Sequence, residues 1–137
     1  MTIIHLETDQ DGVLRQRIEI GQHHVYADAS LASGGTDSAP DPHGLFDASL
    51  AACKAITLMM YAKQRGMDLQ RVSLHVARDA SQERAGTYQL HVTLNLIGTL
   101  TDEERQKLLI IADKCPVHKL MTQTDIIVNT QLATADA

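Results

Sequence analysis

The chain has 137 residues, a formal net charge of −5 and a sequence pI of about 5.7. This length is typical of one domain that buries a core without the help of disulfides. The chain is acidic, has no basic run and contains only 3% aromatic residues, so we expect no nucleic-acid partner. No stretch approaches the roughly 18 uncharged apolar residues of a membrane span. The N-terminus has neither the basic start nor the cleavage site of a secretory signal, so we expect a cytoplasmic protein without a membrane partner.

The N-terminal pattern predicts a meander of three antiparallel strands. Strand-forming residues occupy 3–6, 13–20 and 24–27. Between the first two of these segments, Asp11 and Gly12 favour a turn, because the pair tolerates the positive φ that tight hairpins require.

A loop and a long helix follow the meander. Residues 33–42 contain two glycines, two prolines and small polar residues, a composition typical of a flexible loop. Asp41 can cap a helix that begins at Pro42, where the missing N–H of proline costs nothing. The helical period continues to about residue 65, and Gly66 ends it. Because this helix is apolar on nearly every side, we expect it to be the central and heavily buried element.

The second half of the chain predicts more strands. Residues 71–79 and 87–98 alternate between apolar and polar side chains, and residues 126–128 form a short apolar run that predicts a last strand. With no internal repeat and no break in composition, the sequence predicts a single domain over residues 1–137. Its fold class is α+β, with antiparallel sheets around a long central helix.

Two shorter helices are predicted after these strands. Thr101 and Glu104 have the spacing of a capping box, so a helix begins there and runs to about residue 114. Pro116 cannot continue that helix, but it can open a new one that extends through Met121.

The two cysteines, Cys53 and Cys115, both lie in or beside predicted helices. In the cytoplasm a pair of thiols is more often catalytic or redox-sensing than structural. Cys115 precedes Pro116 at a helix start, where free amides favour a thiolate, and His118 is placed one turn further along. Cys53 is equally compatible with a small buried core residue, and His118 with a solvated surface residue. From the residues alone, both interpretations stay open.

Zinc binding is an alternative for the same residues. Cys115 and His118 have a spacing compatible with zinc, and Cys53 and His43 are the other candidate ligands. A second closely spaced ligand pair is missing, however, so we expect no metal and no cofactor.

Two motifs together resemble the OsmC/Ohr family of osmotically inducible and organic hydroperoxide resistance proteins. The first is the run 34–55, which begins Gly-Gly-Thr-Asp and contains Cys53, continued by Met-Tyr-Ala at 60–62. The second is the run 111–118, which ends Cys-Pro-Val-His. The resemblance covers nearly the whole chain in the same element order.

This resemblance implies an intertwined homodimer with central helices and two active sites at the subunit interface. It implies that Cys53 reduces an organic hydroperoxide and becomes a sulfenic acid, and that Cys115 resolves this acid as a disulfide. A dithiol reductant, such as a lipoylated protein, would then restore the thiols.

The sequence departs from the family at one position. Strongly active members have a glutamate ten residues before the first cysteine, paired with an arginine of the N-terminal strands. Here that position is His43, and the candidates for the arginine are Arg15 and Arg17. A histidine cannot hold an arginine by a two-point, charge-assisted contact. This places the chain in a divergent branch, and the alternative function is a redox-responsive protein that binds an apolar small molecule at the dimer interface without turnover.

Overall fold

The structure is a computed structural model that describes residues 3–10 and 12–134. Asp11, half of the predicted Asp-Gly turn, lies outside the described residues. The helices and strands are, in chain order, β1 (Ile4–Thr8), β2 (Gln16–Ile20), β3 (His23–Ala27), α1 (Pro42–Gln64), β4 (Asp68–Asp79), β5 (Gln89–Thr99), α2 (Asp102–Ala112) and α3 (Pro116–Gln123).

The strands form two sheets. β1, β2 and β3 make an antiparallel meander in which Ile4 pairs with Ile20 and Gln16 pairs with Ala27. β4 and β5 make a separate two-stranded sheet. The predicted α+β class, with antiparallel sheets and one long helix, is confirmed.

The described residues cluster into two compact units. The first lies within residues 1–52 and 74–93, and the second within residues 53–73 and 94–137. α1, β4 and β5 each contribute residues to both units. The single domain expected over residues 1–137 stays a prediction.

The second unit has a well-defined apolar core. Leu58 of α1 and Leu108 of α2 are both fully buried, and Leu69 of β4 packs into the same cluster. Since burying a leucine side chain contributes roughly 1.5–3 kcal/mol, this cluster holds the two helices against the hairpin. The full cluster is Leu58, Ala62, Leu69, Leu108, Ile111 and Ala112.

Helix α1 is less buried than its composition predicts. Its buried residues follow each other at four-residue intervals along one face. The expectation that this helix is heavily buried is therefore wrong for the single chain. Large apolar side chains remain exposed on other faces, among them Ile56 (59%) and Met60 (56%). α1 is also long and apolar enough to cross a membrane by length and hydropathy alone, a test that the core helix of a soluble protein also passes. The buried face consists of Leu50, Lys54, Leu58 and Ala62.

The helix ends follow the predicted chemistry. The Thr101 side chain accepts a hydrogen bond from the Glu104 amide, and the Glu104 carboxylate accepts one from the Thr101 amide, so the capping box is confirmed. Pro116 is the first residue of α3, as predicted. Gly66, just after α1, has a φ of 68°, the left-handed conformation that suits glycine at a helix end.

The last predicted strand is wrong. Residues 126–128 have no regular secondary structure, and Ile127 and Val128 are 82% and 78% exposed. A strand needs a neighbouring strand to bond its backbone, and among the described residues the chain offers none to this segment.

The loop before α1 is more tightly organised than its composition suggests. The buried Asp28 carboxylate accepts hydrogen bonds from the side chain and amide of Ser38, the amide of Ala29 and the hydroxyl of Thr36. These bonds, the Ser38 hydroxyl first, hold the pKa of Asp28 far below its usual range. A Cβ on Gly35 would overlap the Ala29 carbonyl, so the loop requires glycine there.

We predict that Asp28→Asn destabilises the protein in a pH-dependent way. Because the folded-state pKa of Asp28 is lowered, its stabilisation is present above the ordinary value of 3.8 and is lost as the pH falls below it. Urea unfolding midpoints should therefore differ most between wild type and Asp28→Asn at pH 7, and the gap should narrow in acid. Ser38→Ala should show a smaller loss of stability with the same pH dependence. If the difference in unfolding midpoint between wild type and Asp28→Asn stayed constant down to pH 2, the lowered pKa assigned to Asp28 would be contradicted.

Candidate active site

The two thiols meet in the second unit. Cys53 lies in α1 and is partly exposed, whereas Cys115 lies at the start of α3 and is fully buried. Both are free thiols, and Cys53 lies close enough to Cys115 to help raise the pKa of the Cys115 thiol. Two thiols that are 62 positions apart in the chain thus become neighbours in the fold.

The first turn of α3 directs its amides at both sulfurs. Cys115 is the N-cap residue of α3, in extended conformation, and its Sγ accepts a hydrogen bond from the His118 amide at 3.4 Å. The Val117 amide donates to the Cys53 Sγ at 3.5 Å. Since helix N-termini stabilise negative charge, this turn suits a sulfur that becomes a thiolate.

The surroundings of Cys115 have opposing effects on the pKa of its thiol. Burial raises the pKa of the Cys115 thiol above its ordinary value, and the hydrogen bond with Cys53 raises it further. The His118 amide and the charge of Lys54 lower the same pKa, but burial is the largest effect. Cys115 is therefore held as a neutral thiol that can donate its hydrogen to Cys53.

Lys54 is the residue of this site for which the sequence gives only a weak signal, because it adjoins Cys53 but points about 100° round the helix from it. Its side chain is only 3% exposed, and its Nζ donates to the Ala112 carbonyl at 2.7 Å. The same Nζ lies 2.9 Å from His118 Nδ1 and 3.4 Å from the Asp113 carboxylate. The sequence signal that could have identified Lys54 is the apolar residues one turn before and after it on the same helix face. A lysine among such residues must find polar partners in the interior.

His118 joins the site through both its backbone and its ring. A lysine ammonium only donates hydrogen bonds, so His118 Nδ1 accepts from Lys54 and the ring proton is assigned to Nε2. The sequence allowed His118 to be either a partner of the thiols or a solvated surface residue. Its side chain is 30% exposed, so it contacts the site and still reaches solvent.

His43 has its own partners in the first unit. Its Nε2 lies 2.8 Å from a carboxylate oxygen of Glu83, and its ring packs at 5.9 Å from the Tyr88 ring. Together with Pro42 and Phe46, these three residues line a cavity of about 290 Å³.

The two candidate arginines also pair within the first unit. Arg15 Nε donates to the Asp9 carboxylate at 2.6 Å, and its guanidinium lies over the Tyr26 ring. Arg17 donates to Glu19 at 2.8 Å in an exposed pair. The structure thus brings together Cys53, Cys115 and His118 in the second unit. His43, Arg15 and Arg17 lie in the first unit, and each contacts a carboxylate of that same unit.

The fold is that of a known class of α+β proteins. It is similar to a proposed osmotic stress-induced and detoxification response protein from Psychrobacter arcticus, with a TM-score of 0.73, 23% identity and 87% of each chain covered. It is similar to the organic hydroperoxide resistance protein OsmC from Legionella pneumophila, with a TM-score of 0.63, 24% identity and 90% of each chain covered. It is also similar to the organic hydroperoxide resistance protein OhrB of Bacillus subtilis, with a TM-score of 0.54, 22% identity, and 90% of this chain and 91% of that chain covered.

The sequence itself matches the family model described as OsmC-like protein over residues 35–131. This segment holds both cysteines and most of the chain, and the protein belongs to the OsmC family. A search of curated proteins finds no match.

We predict that the two thiols of the folded protein react with an alkylating reagent at very different rates. Cys53 is partly exposed and Cys115 fully buried, so N-ethylmaleimide should label Cys53 first. Intact mass and peptide mapping should find a single label, on the Cys53 peptide, before the second thiol reacts. Cys53→Ser should stay unlabelled over the same time, and labelling of Cys115 at the rate of Cys53 would contradict the described burial.

Proposed function

We propose that this protein is a thiol peroxidase that reduces organic hydroperoxides through Cys53 and Cys115. The observation that carries the proposal is that two free thiols, one partly exposed and one buried, accept hydrogen bonds from adjacent amides of the same helix turn. Membership of the OsmC family and the similarity in fold to organic hydroperoxide resistance proteins support a role in peroxide stress.

The proposed chemistry takes three balanced steps. The Cys53 thiolate attacks one peroxide oxygen, the O–O bond breaks, and the leaving alkoxide takes a proton to become an alcohol. The resulting Cys53 sulfenic acid reacts with the Cys115 thiol, which forms the disulfide and releases water. A dithiol such as a lipoylated protein then reduces the disulfide and is itself oxidised to a disulfide.

The two cysteines differ in the way these roles require. Only a thiol that solvent reaches can meet a peroxide, which favours Cys53 as the attacking residue. Cys115 shares the first turn of α3 with the amide that bonds the Cys53 sulfur, so the resolving thiol is nearby before the sulfenic acid forms. We expect both reactions to take place in the cytoplasm, where reductants are available.

The apolar surface of α1 supports a proposal for the substrate class. Met59, Met60 and Met67, with Leu69 and Lys63, line a cavity of about 390 Å³ in the same unit as the thiols. Flexible methionine side chains adapt to apolar ligands of different shapes. Alkyl or fatty-acid hydroperoxides therefore suit the surface better than hydrogen peroxide does.

The same cavity favours the second candidate function, a redox-responsive protein that binds an apolar molecule without turnover. In that case the thiols would sense oxidation, and a ligand would be retained when the protein is purified. Hydroperoxide turnover by the wild type separates the two candidates.

The protein is also proposed to be a homodimer. OsmC/Ohr proteins are generally dimeric, and α1 exposes large apolar side chains that a partner subunit could cover, including Phe46, Ile56 and Met60.

We predict that Cys53→Ser abolishes the reduction of cumene hydroperoxide, because the nucleophile is lost. Cys115→Ser should lose multiple turnover, yet a single equivalent of peroxide should leave a Cys53 sulfenic acid that dimedone traps. Peroxide consumption in the presence of a dithiol and the mass of the dimedone adduct measure both outcomes. Equal, negligible rates for wild type and Cys53→Ser would refute the peroxidase.

We predict that Ile56→Glu weakens the dimer. A charge placed on the exposed apolar face of α1 would have to be buried in the interface, which costs free energy. Light scattering after gel filtration should give twice the chain mass of 15.0 kDa for wild type and a lower mass for the variant. Gln64→Glu, an exposed polar position at the end of the same helix, is the matched control and should remain dimeric. A monomeric wild type would contradict the proposal.

A further inference from the structure

We propose that Lys54 is a positioning residue that promotes the second step, in which Cys115 resolves the oxidised Cys53. The inference rests on the proposed function for the identity of that step. Its evidence is independent of peroxide chemistry, because it concerns how a buried ammonium acts on a buried thiol.

The first argument is the unusual burial of the charge. Lys54 occupies the buried face of α1, where the preceding and following positions are Leu50 and Leu58. Taking an ammonium out of water is costly, and an apolar residue of similar volume would continue the stripe at no such cost. The burial of apolar surface therefore does not account for a lysine at this position.

The second argument is that the charge is only partly neutralised. Two of its three acceptors, the Ala112 carbonyl and His118 Nδ1, are neutral groups. The third, the Asp113 carboxylate, is 74% exposed and lies 3.4 Å away, so water screens part of its charge and the rest acts on the ammonium. Positive potential is left over in the interior, and a thiolate is the group that would balance it.

The third argument is the path of the chain around the thiol. Lys54 follows Cys53 directly on α1, and its partners Ala112, Asp113 and His118 lie on both sides of Cys115 in the sequence. The ammonium thus ties the end of α2 to the first turn of α3, the two segments that hold Cys115 in place. The charge of Lys54 also lowers the pKa of Cys115 against the effect of burial.

These arguments assign a specific task to Lys54. Cys115 must lose its proton to attack the sulfenic acid, and burial opposes that loss. A positive charge that is already in place stabilises the Cys115 thiolate at the moment when it forms. The titratable groups around it are Lys54 from α1, Asp113 at the end of α2, His118 from α3 and the Cys53 thiol.

The test uses an aromatic disulfide, dithiobis-nitrobenzoate, instead of a peroxide. The Cys53 thiolate attacks its S–S bond and releases one thionitrobenzoate, and Cys53 is left in a mixed disulfide. The Cys115 thiolate then attacks that mixed disulfide, forms the Cys53–Cys115 disulfide and releases a second thionitrobenzoate. The rate of the second release, followed by absorbance across pH, reports on Cys115 alone.

We predict that Lys54→Met and Lys54→Gln slow the second release at pH 7 by about tenfold and move its pH midpoint up by about one unit. Gln keeps a hydrogen-bond donor and Met does not, so similar shifts in both would identify charge as the cause. Asp113→Asn should move the midpoint in the opposite direction, because it removes the negative charge nearest the ammonium.

Several outcomes would overturn this role. Cys115→Ser should lack the second release entirely, and its persistence would show that Cys115 is not the attacking group. An unchanged midpoint in folded Lys54→Gln, or a shift of Asp113→Asn in the same direction as Lys54→Met, would exclude the electrostatic role. If the lysine variants do not fold, a midpoint of Asp113→Asn equal to that of wild type overturns the inference instead. If the second release behaves as predicted while cumene hydroperoxide is not turned over, the peroxidase is wrong and the role of Lys54 stands.

Discussion

The hydrogen bonds from the first turn of α3 to the two sulfurs are the constraint on which the site depends. They exist because Pro116 stops α2 from running on into α3, which leaves the amides of Val117 and His118 without helical carbonyl partners. In a continuous helix those amides would be bonded to the preceding turn. One proline therefore creates both the N-cap position of Cys115 and the donors that face Cys53.

Much of this arrangement could be predicted from local chemistry. The capping box at Thr101, the start of α3 at Pro116 and the end of α1 near Gly66 depend on side chains within a few residues of each helix end, and all three are confirmed. The buried face of α1 could not be predicted in the same way. The helix carries apolar residues on nearly every side, so its sequence periodicity does not select one face. Only packing against Leu108 and its neighbours decides which side is buried. The strand predicted over residues 126–128 was wrong for a related reason, since a strand needs a second strand from elsewhere in the chain to bond its backbone.

The candidate site shows the same division between local and tertiary information. The Cys-Pro-Val-His motif identified the thiol at the helix start, but Lys54 enters the site through contacts with residues 58 to 64 positions away. Sequence reasoning looked for a cation among Arg15 and Arg17, as the family pattern suggests. Each of these arginines contacts a carboxylate of the first unit, and the buried cation beside the thiols comes from α1 itself.

The Cys115 sulfur takes part in two different interactions. As the N-cap acceptor, it holds the His118 amide and so closes the first turn of α3. As a thiol, it is a neighbour of Cys53, the other free cysteine among the described residues. The proposed disulfide would replace the S–H bond of this atom by an S–S bond, so oxidation and helix capping involve a single atom. Formation of the proposed disulfide would therefore act directly on the backbone of α3.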